Sequence, residues 1–227
     1  MPVEATVGDD LIFEQDGAGA TLTINRPHVR NAMTFAMYGA LADHCRAVAT
    51  DPSVRVLILR ATGDKAFVSG TDIKELRTIQ SGEDGLAYEA MVDAAIDALE
   101  AVDKPVLCAI RGAGTGGGLA MAAASDIRIA TPDARLGITI ARTLGNFISG
   151  ATLARVVASV GDAQARRMLI LGELVNAREA HALGFLTELA DPDKLDTRVR
   201  EVAHQLAANA PKTVAAVKVA LRRMRTA

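Results

Sequence analysis

The apolar positions change period several times along the chain, and each change marks an element boundary. Short alternating or apolar runs at Leu11–Glu14 and Ala20–Asn25 flank the turn Asp16-Gly17 and predict a hairpin. Thr34 is a good N-cap, and Met37, Leu41, Cys45 and Val48 recur at helical spacing through Phe35–Thr50. Val54–Leu59 predicts a buried strand. Asp72–Arg77 begins a helix, Ile79–Gly85 is loose and polar, and Leu86–Val102 is helical, with Met91, Ala95, Ile96 and Leu99 on one side. Pro105–Ile110 predicts a strand, Gly112–Gly118 a glycine-rich turn, Leu119–Ala124 a small-residue helix and Asp126–Ala130 another strand. From Thr152 onward the pattern is helical, apart from one apolar strand-like piece at Phe185–Leu189. Strands alternate with helices to about residue 136 and helices dominate afterwards. That order implies an α/β core of stacked ββα units, residues 1–190, followed by a helical C-terminal region, residues 191–227. No repeat stands out in the sequence, and no low-complexity linker separates independent domains.

Composition narrows the class. The 227 residues, 50% of them hydrophobic, suffice for one sizeable core. A net charge of −2 with both signs interspersed argues against a nucleic-acid face or a polybasic membrane anchor, so an anionic ligand needs a few local cations and backbone amides. With 3% aromatic residues, a stacking surface for bases or sugars is not expected. Cys45 and Cys108 sit far apart in apolar surroundings, which fits reduced thiols in a cytoplasmic protein. The start MPVEATVGDD has neither the basic nor the apolar region of a signal peptide, and no apolar run reaches membrane-spanning length. There is no Cys/His spacing for a metal site.

The glycine-rich turn is the first candidate for chemistry. Gly112, Gly114 and Gly117 satisfy the G-x-G-x-x-G pattern of dinucleotide sites, between a strand and a helix. Its mid-chain place, and the lack of an acidic residue closing a second strand about 20 residues on, count against that reading. A tight strand-to-helix crossing explains two of the glycines well, but poorly explains four in five residues (Gly114, Gly116, Gly117, Gly118). A third reading is a helix N-terminus whose bare amides face a site, suited to an anion or a developing oxyanion. Which of these holds depends on a partner element elsewhere.

That partner is Lys65–Leu76, KAFVSGTDIKEL, again strand, glycine turn and helix start. Together with Ala109–Asp126 (AIRGAGTGGGLAMAAASD) and Asn25–Ala32 (NRPHVRNA), it closely resembles the crotonase, or enoyl-CoA hydratase/isomerase, family. The three motifs stand in the family's order and spacing, and the likeness runs from about residue 8 to the C-terminus. The resemblance implies the ClpP/crotonase-like fold and an acyl-CoA thioester as ligand. It also implies a homotrimer or a hexamer made as a dimer of trimers, and no tightly bound cofactor, coenzyme A arriving as part of the substrate. It further implies that the backbone amides of Thr71 and Gly117 form an oxyanion hole for the thioester carbonyl. By the same likeness Ser69, Gly70, Asp72 and Ile73 surround the adenine. Arg26, His28, Arg30, Lys65 and Lys74 are candidates for the phosphates, Lys65 and Lys74 standing at matching motif positions.

The sequence departs from the pattern at two points. A hydratase of this family carries one glutamate two residues past the triple glycine and another about 20 residues later; counting along this chain gives Ala120 and Ile140. Neither binds a proton, and the neighbours Leu119, Met121, Thr139 and Ala141 do not rescue the positions. Acid–base groups are worth roughly 100- to 10,000-fold each, so standard hydration is not expected. Decarboxylation, isomerisation or hydrolysis of a CoA ester remains open, with Arg142 and Asn146 as replacement groups; so does a non-catalytic acyl-CoA carrier or sensor. Glu89 and Asp93 share a helix face, read as solvated. The second departure is length: relatives are expected to continue past the helix matching Pro211–Arg225, which puts the subunit contacts in doubt.

Overall fold

The computed structural model describes residues 7–143 and 148–226. A one-turn helix, α1 (Val7–Asp10), leads into the hairpin β1 (Leu11–Asp16) and β2 (Gly19–Ile24), and helix α2 (Phe35–Thr50) follows. Three units with one plan come next. The first is β3 (Val56–Ala61), β4 (Ala66–Val68) and the helices α3 (Ile73–Leu76) and α4 (Gly82–Ala101). The second is β5 (Val106–Ile110), β6 (Ala113–Thr115) and α5 (Gly117–Ala124). The third is β7 (Ile127–Ala130), β8 (Arg135–Gly137), a 3-10 turn at Ile140–Arg142, and α6 (Gly150–Val160) with α7 (Asp162–Ile170). The chain ends with β9 (Val175–Asn176), α8 (Ala177–Ala182), β10 (Glu188–Leu189), α9 (Leu195–Ala208) and α10 (Pro211–Thr226).

Each unit gives its first strand to one sheet and its second strand to the other. The larger sheet has the order β1-β2-β3-β5-β7-β10 and is parallel except for β1; the smaller is β4-β6-β8-β9, parallel except for β9. Parallel strands must be covered on their faces, and β5 (VLCAI) is buried at every position. One face packs into the main core with α2, α4 and α5, through side chains such as Leu41, Ile96, Leu99 and Met121. The other is covered by α9, whose Leu195, Val199 and Ala203 meet Val56, Leu107 and Ile129. No helix among the described residues is long and apolar enough to cross a membrane.

The differences from the sequence expectations have local causes. Helix α4 begins at Gly82 rather than Leu86, because Ser81 and Asp84 form a reciprocal capping box that outweighs the poor propensity of Gly82 and Gly85. Strand β3 is shifted two residues from Val54–Leu59, since pairing with β2 runs from Val56 against Gly19 to Ala61 against Ile24. The glycine-rich turn contains a strand, β6, and a further strand, β8, lies in a stretch too short and polar to show a period. Phe185 and Leu186 are buried, but their amides bond Ala180 in the α8 terminus, so only Glu188–Leu189 joins the sheet.

Helix α10 is held by ions rather than by a deep apolar seam. Arg225 chelates Glu100 on α4, Arg155 on α6 bonds the same carboxylate, and Lys218 pairs with Asp126. Val217, Leu221 and Met224 lie exposed along it. Burial alone would raise the Glu100 carboxyl, but the Arg225 and Arg155 guanidiniums outweigh it and hold it below the usual range. A carboxyl lowered in the fold stabilises fully above its unfolded value, about 4.3, and loses that contribution as pH falls through its folded value. Acidification through that window is therefore expected to loosen α10 ahead of the core. Limited proteolysis should show early cleavage near residues 209–211, and Glu100→Gln should reproduce it at neutral pH.

Candidate active site

The second strand of each unit ends at one edge of the fold, and a cavity of about 720 Å³ opens there. Its walls come from corresponding places in the three units: Ser69–Ile73 after β4, Thr115–Gly117 and Ala120 at the start of α5, and Ile138–Ile140 after β8. Helix α4 closes the fourth side with Tyr88, Glu89 and Val92, and Ser149 and Thr152 of the α6 start complete it.

The loop carrying Thr71 is fixed from several directions. Met33 and Thr71 form an isolated parallel bridge, with Met33 N–H donating to Gly70 O (2.8 Å) and Asp72 N–H donating to Met33 O (2.9 Å). That alternation leaves the Thr71 amide between them without a backbone acceptor among the described residues. Arg26 pairs with Asp72 (3.0 Å) and Asp10 (3.2 Å) and donates to Ala32 O, so it belongs to the scaffold and not to a phosphate. Asn31, buried and at φ 55°, donates to Thr62 O and Ala66 O and accepts from Arg26 N–H, satisfying its amide group. Asp72 caps Lys74 N–H (2.9 Å); burial would raise its carboxyl, but that bond and Arg26 keep it below the usual range.

The glycine run is explained by close approach and by exposure of an amide together. A Cβ on Gly118 would lie 2.3 Å from the Val68 carbonyl oxygen, and one on Gly117 would lie 2.4 Å from the Tyr38 hydroxyl. Both contacts are too short for a Cβ unless a neighbour shifts, so α5 starts unstrained against β4 and Tyr38 only with glycine at both positions. The Gly116 amide bonds Gly137 O, and the Gly117 amide has no backbone acceptor among the described residues. Thr71 and Gly117 thus present two bare N–H groups on one cavity, and Tyr38 touches both residues. An oxygen gaining negative charge there would find donors already oriented.

Of the other expected residues, Ser69, Gly70, Asp72, Ile73, Arg30 and Lys74 all line this cavity. His28 and Lys65 do not. Lys65 precedes β4 and so sits at the end of the strand away from the site, beside a separate crevice with Thr62, Gly63 and Asp64. His28 is exposed in the 3-10 turn Pro27–Val29. Arg142 is corrected as well: its side chain packs over Gly172, where a Cβ would meet its Cδ at 2.6 Å, and it is no part of the cavity wall. Asn146 lies outside the described residues. Ala120 and Ile140 both line the cavity and make that wall apolar.

Sequence reasoning missed Arg77, which joins Arg30 and Lys74 at the cavity, and Tyr88. It also read Glu89 as solvated, whereas Glu89 lines the cavity half-buried, with no hydrogen bond or ion pair among the described residues. The helical phase of α4 held the signal: residues 85, 88, 89 and 92 share one face, and three of them line the site. Ser149, by contrast, is occupied, donating to Asp93 (2.6 Å) and capping α6 through Thr152 N–H.

Filling the Gly117 space tests this packing directly. Gly117→Ala should lower the denaturation free energy by about 1–3 kcal/mol through overpacking against Tyr38. Restoring room with Tyr38→Phe in the same chain should recover part of it, as read from urea unfolding.

Comparisons with known proteins bear on the family and the fold. The chain is 31% identical over 218 residues to a short-chain-enoyl-CoA hydratase of Clostridium acetobutylicum, covering 95% of this chain and 82% of that protein. It is 31% identical over 231 residues to an (E)-benzylidenesuccinyl-CoA hydratase of Thauera aromatica, covering 97% and 82%. Among solved structures, an enoyl-CoA hydratase/carnithine racemase from Magnetospirillum magneticum superposes with a TM-score of 0.90 at 33% identity, over 95% of this chain and 81% of that one. An enoyl-CoA hydratase from Mycobacterium smegmatis gives 0.88 at 32% identity, over 94% and 82%. The enoyl-CoA hydratase/isomerase family profile matches residues 14–226, and the chain belongs to that family.

Proposed function

We propose that this protein binds an acyl-CoA thioester with its carbonyl oxygen between the Thr71 and Gly117 amides and stabilises the thioester enolate, without the glutamate pair of a standard hydratase. The observation that carries the reading is the pair of bare amides on a cavity whose wall is apolar at Ala120 and Ile140. Preorganised donors act on charge that develops at the oxygen, and removing one costs roughly 2.7–4 kcal/mol in comparable sites. Arg30, Lys74 and Arg77 line the same cavity and form no ion pair among the described residues, which suits the phosphates of coenzyme A. The CoA-ester chemistry is supported by relatives whose names specify CoA-ester hydratases.

With Ala120 and Ile140 unable to hold or move water's protons, the reaction is a decarboxylation, isomerisation or hydrolysis passing through the enolate. Loss of carbon dioxide generates the enolate without any base. A second reading, a non-catalytic acyl-CoA carrier or sensor, is favoured by the same apolar wall. A homotrimer or a dimer of trimers belongs to the proposal on the resemblance alone, and a cytoplasmic location on the two buried, free cysteines.

A panel of malonyl-type, 3-oxoacyl and 2-enoyl-CoA esters separates the readings. Turnover of one class is expected, with little hydration of the 2-enoyl ester. Introducing Ala120→Glu with Ile140→Glu should raise that hydration by about 100-fold or more. Binding of a saturated acyl-CoA without turnover of any ester supports the carrier, and binding weaker than millimolar by calorimetry refutes both. Arg77→Ala and Arg30→Ala should each weaken acyl-CoA binding by about 3- to 10-fold, more at low salt, and leave binding of the matching acyl-pantetheine unchanged.

A further inference from the structure

The chain has two tyrosines, from helices α2 and α4, and both end on the same threonine. Tyr38 Oη lies 3.0 Å from Thr71 Oγ1, and Thr71 Oγ1 lies 2.7 Å from Tyr88 Oη. Three hydroxyls share two links. Three protons are therefore available for two hydrogen bonds, and one proton is left over. Tyr38 is fully buried, and its hydroxyl has no other partner among the described residues. A buried O–H is satisfied by donating, so Tyr38 donates to Thr71. Thr71 then donates outward to Tyr88, and the unspent proton sits on Tyr88, which lines the cavity beside Thr71 itself. Each link polarises the next, which makes the outermost O–H a better donor. The Tyr88 ring is set by its contact with Phe35, centroids 5.5 Å apart.

Resting on the thioester reading above, we propose that Tyr88 is the proton donor to the enolate, and that Tyr38 and the Thr71 hydroxyl are positioning residues that direct its O–H into the cavity. In the step, the Tyr88 O–H bond breaks and the enolate electron pair forms a C–H bond at the α-carbon. The thioester C=O re-forms between the Thr71 and Gly117 amides. The phenolate left behind takes a proton from water at the cavity mouth. Burial pushes the Tyr88 phenol up, the Thr71 bond opposing it and the Glu89 charge adding to it, so the group rests in its protonated, donating form. A phenol suits this role where a carboxylate does not: at neutral pH it still carries the proton it must give. Glu89, lining the same wall, is the competing candidate.

The reverse of the step gives a test that needs no knowledge of the natural substrate. In D2O the protein should exchange the α-hydrogens of butanoyl-CoA, followed by mass spectrometry. The active form in this direction is the phenolate, so the rate should climb about tenfold per pH unit between roughly pH 6 and 9. Tyr88→Phe should lower exchange about 100-fold with unchanged affinity for butanoyl-CoA by calorimetry, and Tyr38→Phe and Thr71→Val should lower it about 3- to 10-fold, also at unchanged affinity. A rate flat in pH across that same window and lost in Glu89→Gln would assign the proton to the carboxylate and overturn the proposal. So would wild-type-like exchange in Tyr88→Phe, a larger loss in Thr71→Val than in Tyr88→Phe, or binding with no exchange at all. Failure to bind butanoyl-CoA instead refutes the thioester reading beneath it.

Discussion

A single buried phenol sets the geometry on which the site depends. Tyr38 projects from α2 through the core, bonds the Thr71 side chain, and fills the volume that any side chain at residue 117 would need. Its hydroxyl therefore spaces the Gly70–Asp72 loop from the start of α5. A phenol cannot shorten or lengthen, and an unmade hydrogen bond at full burial costs roughly 1–3 kcal/mol, so the spacing is held stiffly. The packing of Gly118 against the Val68 carbonyl fixes the remaining degree of freedom, because the helix can neither approach nor rotate without a clash. What presents two bare amides to the cavity is thus a set of contacts made entirely behind it.

Much of this was legible in the sequence because it is written in backbone rules. The alternation of strand and helix, the N-cap at Thr34, and the two glycine turns each follow from local chemistry, and the turns pointed to Thr71 and Gly117 by resemblance. The motif Asn25–Ala32 was visible too, but of its three candidate cations only Arg30 lines the cavity. Arg26 faces inward to Asp10 and Asp72, a choice that depends on where a loop 46 residues away comes to rest. Arg142 failed as a site residue for the same reason: Gly172, distant in sequence, offers the space its stem occupies. Tyr88 and Glu89 stayed hidden because a helix shows its phase in sequence and not which face meets a cavity. The repeat of three units escaped notice since what recurs is a path of the backbone, with almost no shared side chains.

Polar groups at the site divide into those spent on structure and those left over. Asp72, Asn31, Arg26, Ser149 and Asp93 are engaged in bonds that hold loops and helix starts. Glu89, Arg30, Lys74, Arg77 and the outer hydroxyl at Tyr88 face the cavity without such duties. The cations gather beside the Gly70–Arg77 segment, while Ala120, Ile138 and Ile140 supply an apolar wall. That polarity suits an elongated ligand with an anionic end and a greasy end.

The arrangement of walls also bears on how such a protein diversifies. Each side of the cavity is encoded by its own contiguous stretch, at the same station of a separate ββα unit. The contacts that hold 71 and 117 run through α2, β4 and α5, and of the third wall Ile138 is fixed in the core while Thr139 and Ile140 are only half-buried. The fold therefore behaves as a fixed socket with an exchangeable panel. A change at Thr139 or Ile140 would alter what faces a ligand at little folding cost, while the spacing of the Thr71 and Gly117 amides is set elsewhere.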